Sequence, residues 1–143
     1  MKKHLTILAL FLCMSATVQA QFEVKTNPIA ILFEVFPLSL EYNINADWGA
    51  ELDIYAADGG GLAYLSGKYY LDPKRGADRF NIGMFAGFFG GDGDGGGGIG
   101  FFAGYKVLSQ KNVLLEFALG IGRDFAGDVG ALPYGKLHIG YRF

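Results

Sequence analysis

The residues of this chain that offer catalytic chemistry are one histidine and a few serines. His138 is the only histidine after the first twenty residues, and imidazole is the commonest general base. A hydrolase that used it would need a serine within hydrogen-bond reach. The candidates Ser39, Ser66 and Ser109 are all distant from His138 in the sequence. Acyl hydrolysis at His138 is therefore one hypothesis, and a hydrogen-bonded interior histidine is the alternative that we favour.

A glycine-rich stretch holds two further motifs of the kind that bind ligands. Gly91, Gly93 and Gly96 have the spacing of a dinucleotide-binding fingerprint, which requires a following helix to meet the phosphates. The residues that follow are predicted to form a strand, so we dismiss this match. Asp92 and Asp94 offer two carboxylates, but no third follows nearby to complete a calcium site. We therefore expect no catalytic residue, no metal site and no cofactor.

The elements that would position these side chains are eight segments of alternating apolar and other residues. Alternation with a period of two indicates strands whose two faces meet different surroundings. At about 3.3 Å per residue and a tilt near 40°, a strand of about ten residues covers roughly 25 Å, the height of the apolar band of a transmembrane barrel. The segments are residues 22–33, 37–45, 48–56, 62–71, 80–89, 99–107, 113–123 and 134–143.

The two faces of these strands differ in charge. One face is apolar and carries no charge in the strand interiors; in the last strand it holds Leu137, Ile139, Tyr141 and Phe143. The other face is mixed, with many glycines and some aromatic residues. A soluble sandwich would bury one face and carry many charges on the other. All charges of the strand interiors lie on the mixed face, and they are Glu41, Glu51, Asp53, Lys68, Lys106, Glu116, Lys136 and Arg142.

We interpret the mixed face as the interior of a narrow barrel. Its acidic and basic residues balance, and buried charges are expected to pair because an unpaired buried charge is costly. Lys106 and Glu116 fall nearly opposite each other across a turn at residues 109–112. We expect a structural plug, with an ion-conducting path as the alternative. Glycines on the same face leave room for interior aromatic residues, which are Phe85, Phe89 and Phe102.

Aromatic residues of the apolar face gather at one end of the predicted barrel, as in the girdle at a membrane–water interface. The connections at this end are predicted to be short, and longer loops are predicted at residues 58–61, 90–98 and 124–133. An even number of strands then places both termini on the short-turn side, which is periplasmic in outer-membrane barrels. The girdle residues are Tyr42, Trp48, Tyr69, Phe80, Tyr105, Tyr141 and Phe143.

Residues 1–20 have the pattern of a secretory signal peptide. Lys2 and Lys3 precede an apolar centre that is too short to span a membrane as a helix. Its removal takes away the only cysteine, Cys13, and leaves one barrel domain at residues 21–143. The chain has 12 basic and 14 acidic residues, so losing two lysines changes the net charge from −2 to −4, which argues against nucleic acid as a partner.

The signal peptide, the eight segments and the ending Gly140-Tyr141-Arg142-Phe143 resemble the small outer-membrane β-barrel domain family of Gram-negative bacteria, which includes OmpX-like and opacity-type proteins. The resemblance implies an all-β fold, an eight-stranded antiparallel transmembrane barrel that lies as a monomer among outer-membrane lipid. It also implies that Phe143 belongs to a signal read by the barrel-assembly machinery. Residues 25–28 look like the start of such a barrel, where Pro28 is expected to mark a bulge or the beginning of the strand.

Three functions fit the sequence. The first is a non-catalytic outer-membrane barrel that supports envelope integrity or presents surface loops. The second is a lipid-modifying barrel enzyme that uses His138 to hydrolyse acyl chains. The third is a secreted soluble β-barrel that binds a small apolar ligand, which would require an apolar interior and a polar exterior. The parity of the charges favours the first function.

Overall fold

The alternating segments fold as antiparallel strands that close into a barrel. A computed structural model describes residues 21–92, 95–125 and 130–143, and the predicted signal peptide lies outside this part. Each strand pairs with its neighbours in sequence and the first pairs with the last, so the predicted eight-stranded barrel is confirmed. The strands are β1 Gln21–Thr26, β2 Phe36–Asn43, β3 Trp48–Ala57, β4 Gly60–Tyr70, β5 Arg79–Gly91, β6 Gly95–Leu108, β7 Val113–Asp124 and β8 Leu132–Arg142.

The barrel has two ends, and we call the end that holds Gln21 and Phe143 the near end and the opposite one the far end. The chain crosses between them eight times, and every ladder is antiparallel. Lys106 pairs directly with Glu116 between β6 and β7, as the sequence predicts. Among the described residues, no helix is long and apolar enough to cross a membrane.

The predicted first strand, residues 22–33, is wrong in its second half. Strand β1 ends at Thr26, and a short helix, α1, follows at Pro28–Leu32. The side chain of Asn27 caps this helix by accepting hydrogen bonds from the backbone N–H groups of Ile29 (3.0 Å) and Ala30 (3.2 Å). Proline suits the first helical position because its ring presets φ and its missing N–H has no partner there. Pro28 therefore begins a helix rather than a bulge or a strand.

The seam between β1 and β8 is short. Their pairing runs only from Glu23 opposite Arg142 to Thr26 opposite Ile139. On its other edge, β8 pairs with β7 along its whole length, as far as Leu132 opposite Gly122. The far half of β8 therefore has a strand partner on one side only, and α1 packs against β8 and β2 in this region.

The predicted division into short turns and longer loops is wrong for two of the far-end connections. Asp58 and Gly59 alone join β3 to β4, with Gly59 at φ +86°, as expected for a two-residue hairpin turn. Strands β5 and β6 extend to Gly91 and from Gly95, so most of the predicted loop at 90–98 is sheet. Near-end connections at 44–47, 71–78 and 109–112 overlap in length with those at the far end. Loop length therefore does not distinguish the two ends.

Candidate functional site

The interior of the near half of the barrel is a cluster of charged side chains. Alternation along each strand directs these residues inward, so all eight charges predicted for the interior are buried, together with Glu23 and Lys25 of β1. Each side chain of the ten is at most a few per cent exposed. With the added pair this half of the interior holds five acidic and five basic residues, so their balance persists there, while Asp124 is also buried at the far end of β7. We call these ten residues the interior charge cluster.

Glu41 lies at the centre of the interior charge cluster. Its carboxylate oxygens lie 2.5 Å from Nζ of Lys25, 2.7 Å from Nζ of Lys68 and 2.8 Å from Nζ of Lys106. The hydroxyl of Tyr70 donates a further hydrogen bond to Oε1 at 2.5 Å. Every group in this set is buried, so the hydrogen bonds and ion pairs replace the lost hydration of the charges.

Two further carboxylates share the same lysines. Glu116 accepts hydrogen bonds from Lys25 at 2.7 Å and from Lys68 at 2.5 Å. Glu51 forms ion pairs with Lys25, Lys68 and Lys136 and accepts a hydrogen bond from the hydroxyl of Ser39. Because each lysine bridges carboxylates from different strands, the cluster ties the walls of the barrel together across its interior.

Arg142 closes the near end of the barrel. Its Nε and Nη2 atoms donate to Oε1 of Glu23 at 2.8 and 2.6 Å. The same guanidinium donates to the carbonyl oxygens of Arg75 (2.9 Å), Gly76 (2.5 Å) and Ala77 (2.9 Å) in the β4–β5 connection. Ala77 is fully buried, so the last residues of this connection fold into the barrel mouth.

Two charged residues of the cluster, Glu23 and Lys25, were not predicted to lie in the interior. Lys106 donates to Glu23 at 2.8 Å, and Lys25 contacts three carboxylates of other strands. Phe22 and Val24 alternate with them, so the period-two pattern is present. It extends over only the six residues of β1. The apolar run that follows Pro28 obscured it.

An aromatic layer fills the far half of the interior. The rings of Phe85 and Tyr134 stack with centroids 4.4 Å apart, and Tyr64 meets Tyr134 edge-on at 5.1 Å. Phe102 completes the layer and contacts Tyr134. Nζ of Lys136 lies 5.6 Å from the centre of the Phe102 ring. Phe85 and Phe102 are interior as predicted. Phe89 also faces inward as predicted, with its ring against the inner face at Gly96. Its side chain is 37% exposed because it lies near the far rim.

His138 is buried between the charges and the aromatic layer, and its contacts are not those of a catalytic triad. Its Nε2 lies 3.1 Å from the hydroxyl of Tyr55, and its Nδ1 lies 3.4 Å from Oε1 of Glu51. The hydroxyl of Ser39 is directed to Glu51 at 2.7 Å instead of to the imidazole. Ser66 is buried on β4, and Ser109 is exposed in the β6–β7 turn.

Two groups of interior side chains have a spacing that a metal ion could accept. Ligand atoms of Glu51, Asp53 and His138 lie within 4.8 Å of one another, as do those of Glu41, Glu51 and Glu116. Both groups include Glu51, whose oxygens already contact three ammonium groups. A metal ion there would have to displace lysines from their positions, since like charges repel strongly at these distances.

The glycine-rich motif lies on a hairpin. Gly91 ends β5 and Gly96 lies in β6, so a strand and not a helix follows the glycines. A dinucleotide fingerprint lacks its helix here, in agreement with the sequence analysis. Asp92 is exposed, and Asp94 lies outside the described residues.

The predicted girdle residues lie together on the outer face at the near end. Trp48 contacts Tyr69 with ring centroids 4.9 Å apart, and Tyr141 contacts Phe143 at 5.1 Å. Phe22, which the sequence analysis did not assign, joins them on β1 and pairs with Tyr42. At the far end of the outer face, Arg123 stands beyond Ile121 on β7. It is the one charge on the outward parity within the eight strands.

Comparison with known proteins does not assign this site. No protein-family model, no curated protein and no solved structure matches the chain. Function must therefore be argued from the geometry of the barrel alone.

Proposed function

We propose that the protein is a non-catalytic integral barrel of an outer membrane, with a structural role in the envelope. One observation carries this proposal. Between the near-end girdle and Arg123, the outer face of the strands bears no charged side chain, while the interior charge cluster and Asp124 are buried inside. This inversion of the usual soluble pattern is the arrangement expected when lipid surrounds the barrel.

The size of the exposed apolar surface supports lipid as the solvent. Phe101, Leu119 and Ile121 are each about two-thirds exposed on adjacent strands. Apolar patches of more than a few hundred Å² are rare on soluble monomers, and here such residues run around the whole barrel. From Val113 to Arg123 the rise is roughly 25 Å at the usual strand pitch and tilt, which matches the apolar band of a transmembrane barrel.

The packed interior supports a structural role over transport or catalysis. The interior charge cluster closes the near half and the aromatic layer fills the far half. A soluble carrier of an apolar ligand would need an apolar cavity in this place. A hydrolase would need a serine hydroxyl within hydrogen-bond reach of His138. The two-residue β3–β4 turn offers little surface for ligand capture. We therefore prefer envelope support to loop presentation.

The orientation that we propose places the near end, with Gln21 and Phe143, in the periplasm. The predicted signal peptide and the near-end girdle support it, and loop length does not. The role of Phe143 as an assembly signal stays a prediction from the resemblance.

Cell fractionation tests the proposal. Expressed in a Gram-negative host, the full chain should stay in the outer-membrane fraction after alkaline extraction and dissolve only in detergent. Without boiling, it should migrate faster on a denaturing gel than after boiling, because a closed barrel resists the detergent. A water-soluble monomer whose migration does not change on boiling would contradict the proposal.

A further inference from the structure

We propose that residues 28–36, which we call the seam segment, insert into the lipid and complete the wall of the barrel beside β8. This inference rests on the proposed membrane location and assigns a lipid contact to a part of the chain that, apart from Phe36 at the start of β2, is not a strand. The lipid that we propose to surround the seam segment is the boundary between headgroups and acyl chains, on the side of the bilayer where the far end of the barrel lies.

The seam segment covers a gap in the sheet. Strand pairing between β1 and β8 stops at Thr26 opposite Ile139, and β2 begins only at Phe36. The ladder of β7 and β8 continues past this level through Leu137 and Pro133, opposite the exposed residues Phe117 and Ile121. Helix α1 packs against β8 and β2. The seam segment therefore stands at a height where neighbouring strands present their apolar outer face.

The side chains of the seam segment suit lipid and not water. Residues 28–33 contain no polar side chain. Leu32 is 81% exposed and Phe33 75% exposed, and the other large apolar residues that stay exposed are Ile29, Ile31 and Phe36. In water this patch would be unfavourable. Ala30, Phe33 and Val35 line a recess with Tyr55 and Leu62 at the far mouth, whereas Leu32 does not line this recess and stands at the level of the outer face that the proposed function gives to lipid.

The backbone N–H groups of the seam segment are paired within it and with Asn27. Asn27 accepts from the first free N–H groups of α1, and Pro28 has no N–H. Beyond the helix, the N–H groups of Phe33, Glu34 and Val35 donate to carbonyl oxygens of the helix at 3.0–3.1 Å. Irregular backbone is tolerated near hydrocarbon only when its polar groups are paired in this way.

Glu34 sets the depth of insertion. It is the only charge in the seam segment and sits exposed at φ +60°, in the turn that leads back to β2. A carboxylate needs water or headgroups around it. The segment must therefore lie at the edge of the apolar band, as interfacial helices do.

A single-thiol fluorescence experiment tests this inference. In the full chain carrying Cys13→Ser, Leu32→Cys supplies the only thiol for an environment-sensitive fluorophore. The protein is reconstituted in phosphatidylcholine vesicles that contain a lipid with a nitroxide on its acyl chain, and iodide serves as the aqueous quencher. Leu119→Cys is the matched control in the apolar band, and Asp58→Cys is the control in the exposed β3–β4 turn.

We expect the label at position 32 to be quenched by nitroxide lipid several-fold more than the label at 58, and by iodide several-fold less. If position 32 behaves like 58 while 119 is quenched by the lipid, the inference fails and the membrane barrel stands. If 119 also escapes the lipid quencher, both proposals fail. A label at 32 that is shielded from both quenchers would show that protein and not lipid covers the segment, and would overturn the inference.

Discussion

Replacing Glu41 by glutamine is expected to lower the free energy of unfolding by about 3–5 kcal/mol, the range found when one partner of a buried ion pair is removed. Glu41 is fully buried and contacts three lysines and Tyr70. Glutamine keeps the shape and removes the charge. Three ammonium groups are then left with one carboxylate fewer in an interior that water does not reach. Denaturant titration of the barrel refolded in detergent micelles measures the change.

Asp72→Asn is the matched control for this substitution. It also removes one carboxylate charge, from a residue that pairs with Lys74 at 3.0 Å and Arg79 at 3.2 Å. This side chain is 70% exposed, so solvent screens the pairs and no measurable loss of stability is expected. Equal effects of the two substitutions would show that the interior charge cluster does not hold the barrel together.

The second large effect is expected at Gly83, which lies on the inner face of β5. A Cβ atom there would collide with the carbonyl oxygen of Gly67 and with the ring of Phe102. The carbonyl belongs to the sheet and the ring belongs to the aromatic layer, so neither can move without disturbing its neighbours. Overpacking of this kind costs about 1–3 kcal/mol. We expect Gly83→Ala to show this loss in the same denaturant titration.

Gly67→Ala provides the control, because Gly67 lies on the adjacent strand β4 and faces outward. A Cβ atom at Gly67 meets nothing within 4 Å. Alanine also restricts the unfolded chain, so this substitution is expected to be neutral or slightly stabilising. If Gly83→Ala lowered the free energy of unfolding no more than Gly67→Ala does, the close packing of Phe102 against Gly83 would be contradicted.

Alternation in the sequence is enough to predict most of the barrel. Seven strands lie within a few residues of their predicted bounds, because one continuous face of the sheet is apolar and points outward while the other points into the interior. The same parity identifies buried charges such as Glu51 and Lys68 before any coordinates are known. It cannot say which lysine meets which carboxylate, since that depends on the tilt and stagger of the closed sheet.

Local signals were missed where they competed with the hydrophobic pattern. Asn27 and Pro28 form an ordinary helix start, but the apolar residues after them continue the pattern of a strand. Asp58-Gly59 is a strong hairpin signal, but the glycines after it look like a loop. They are instead the first residues of β4, where Gly60 is pressed against the backbone of Gly90.

The proposed membrane location of the barrel is tested most directly by the intrinsic fluorescence of Trp48, the only tryptophan of the chain. Trp48 is about half exposed in the near-end girdle, against Tyr69. In vesicles made with brominated lipids, its emission should be quenched most by bromine near the headgroup and less by bromine near the chain end, because girdle residues lie at the interface. Emission that no brominated lipid changes would contradict a barrel embedded in a bilayer.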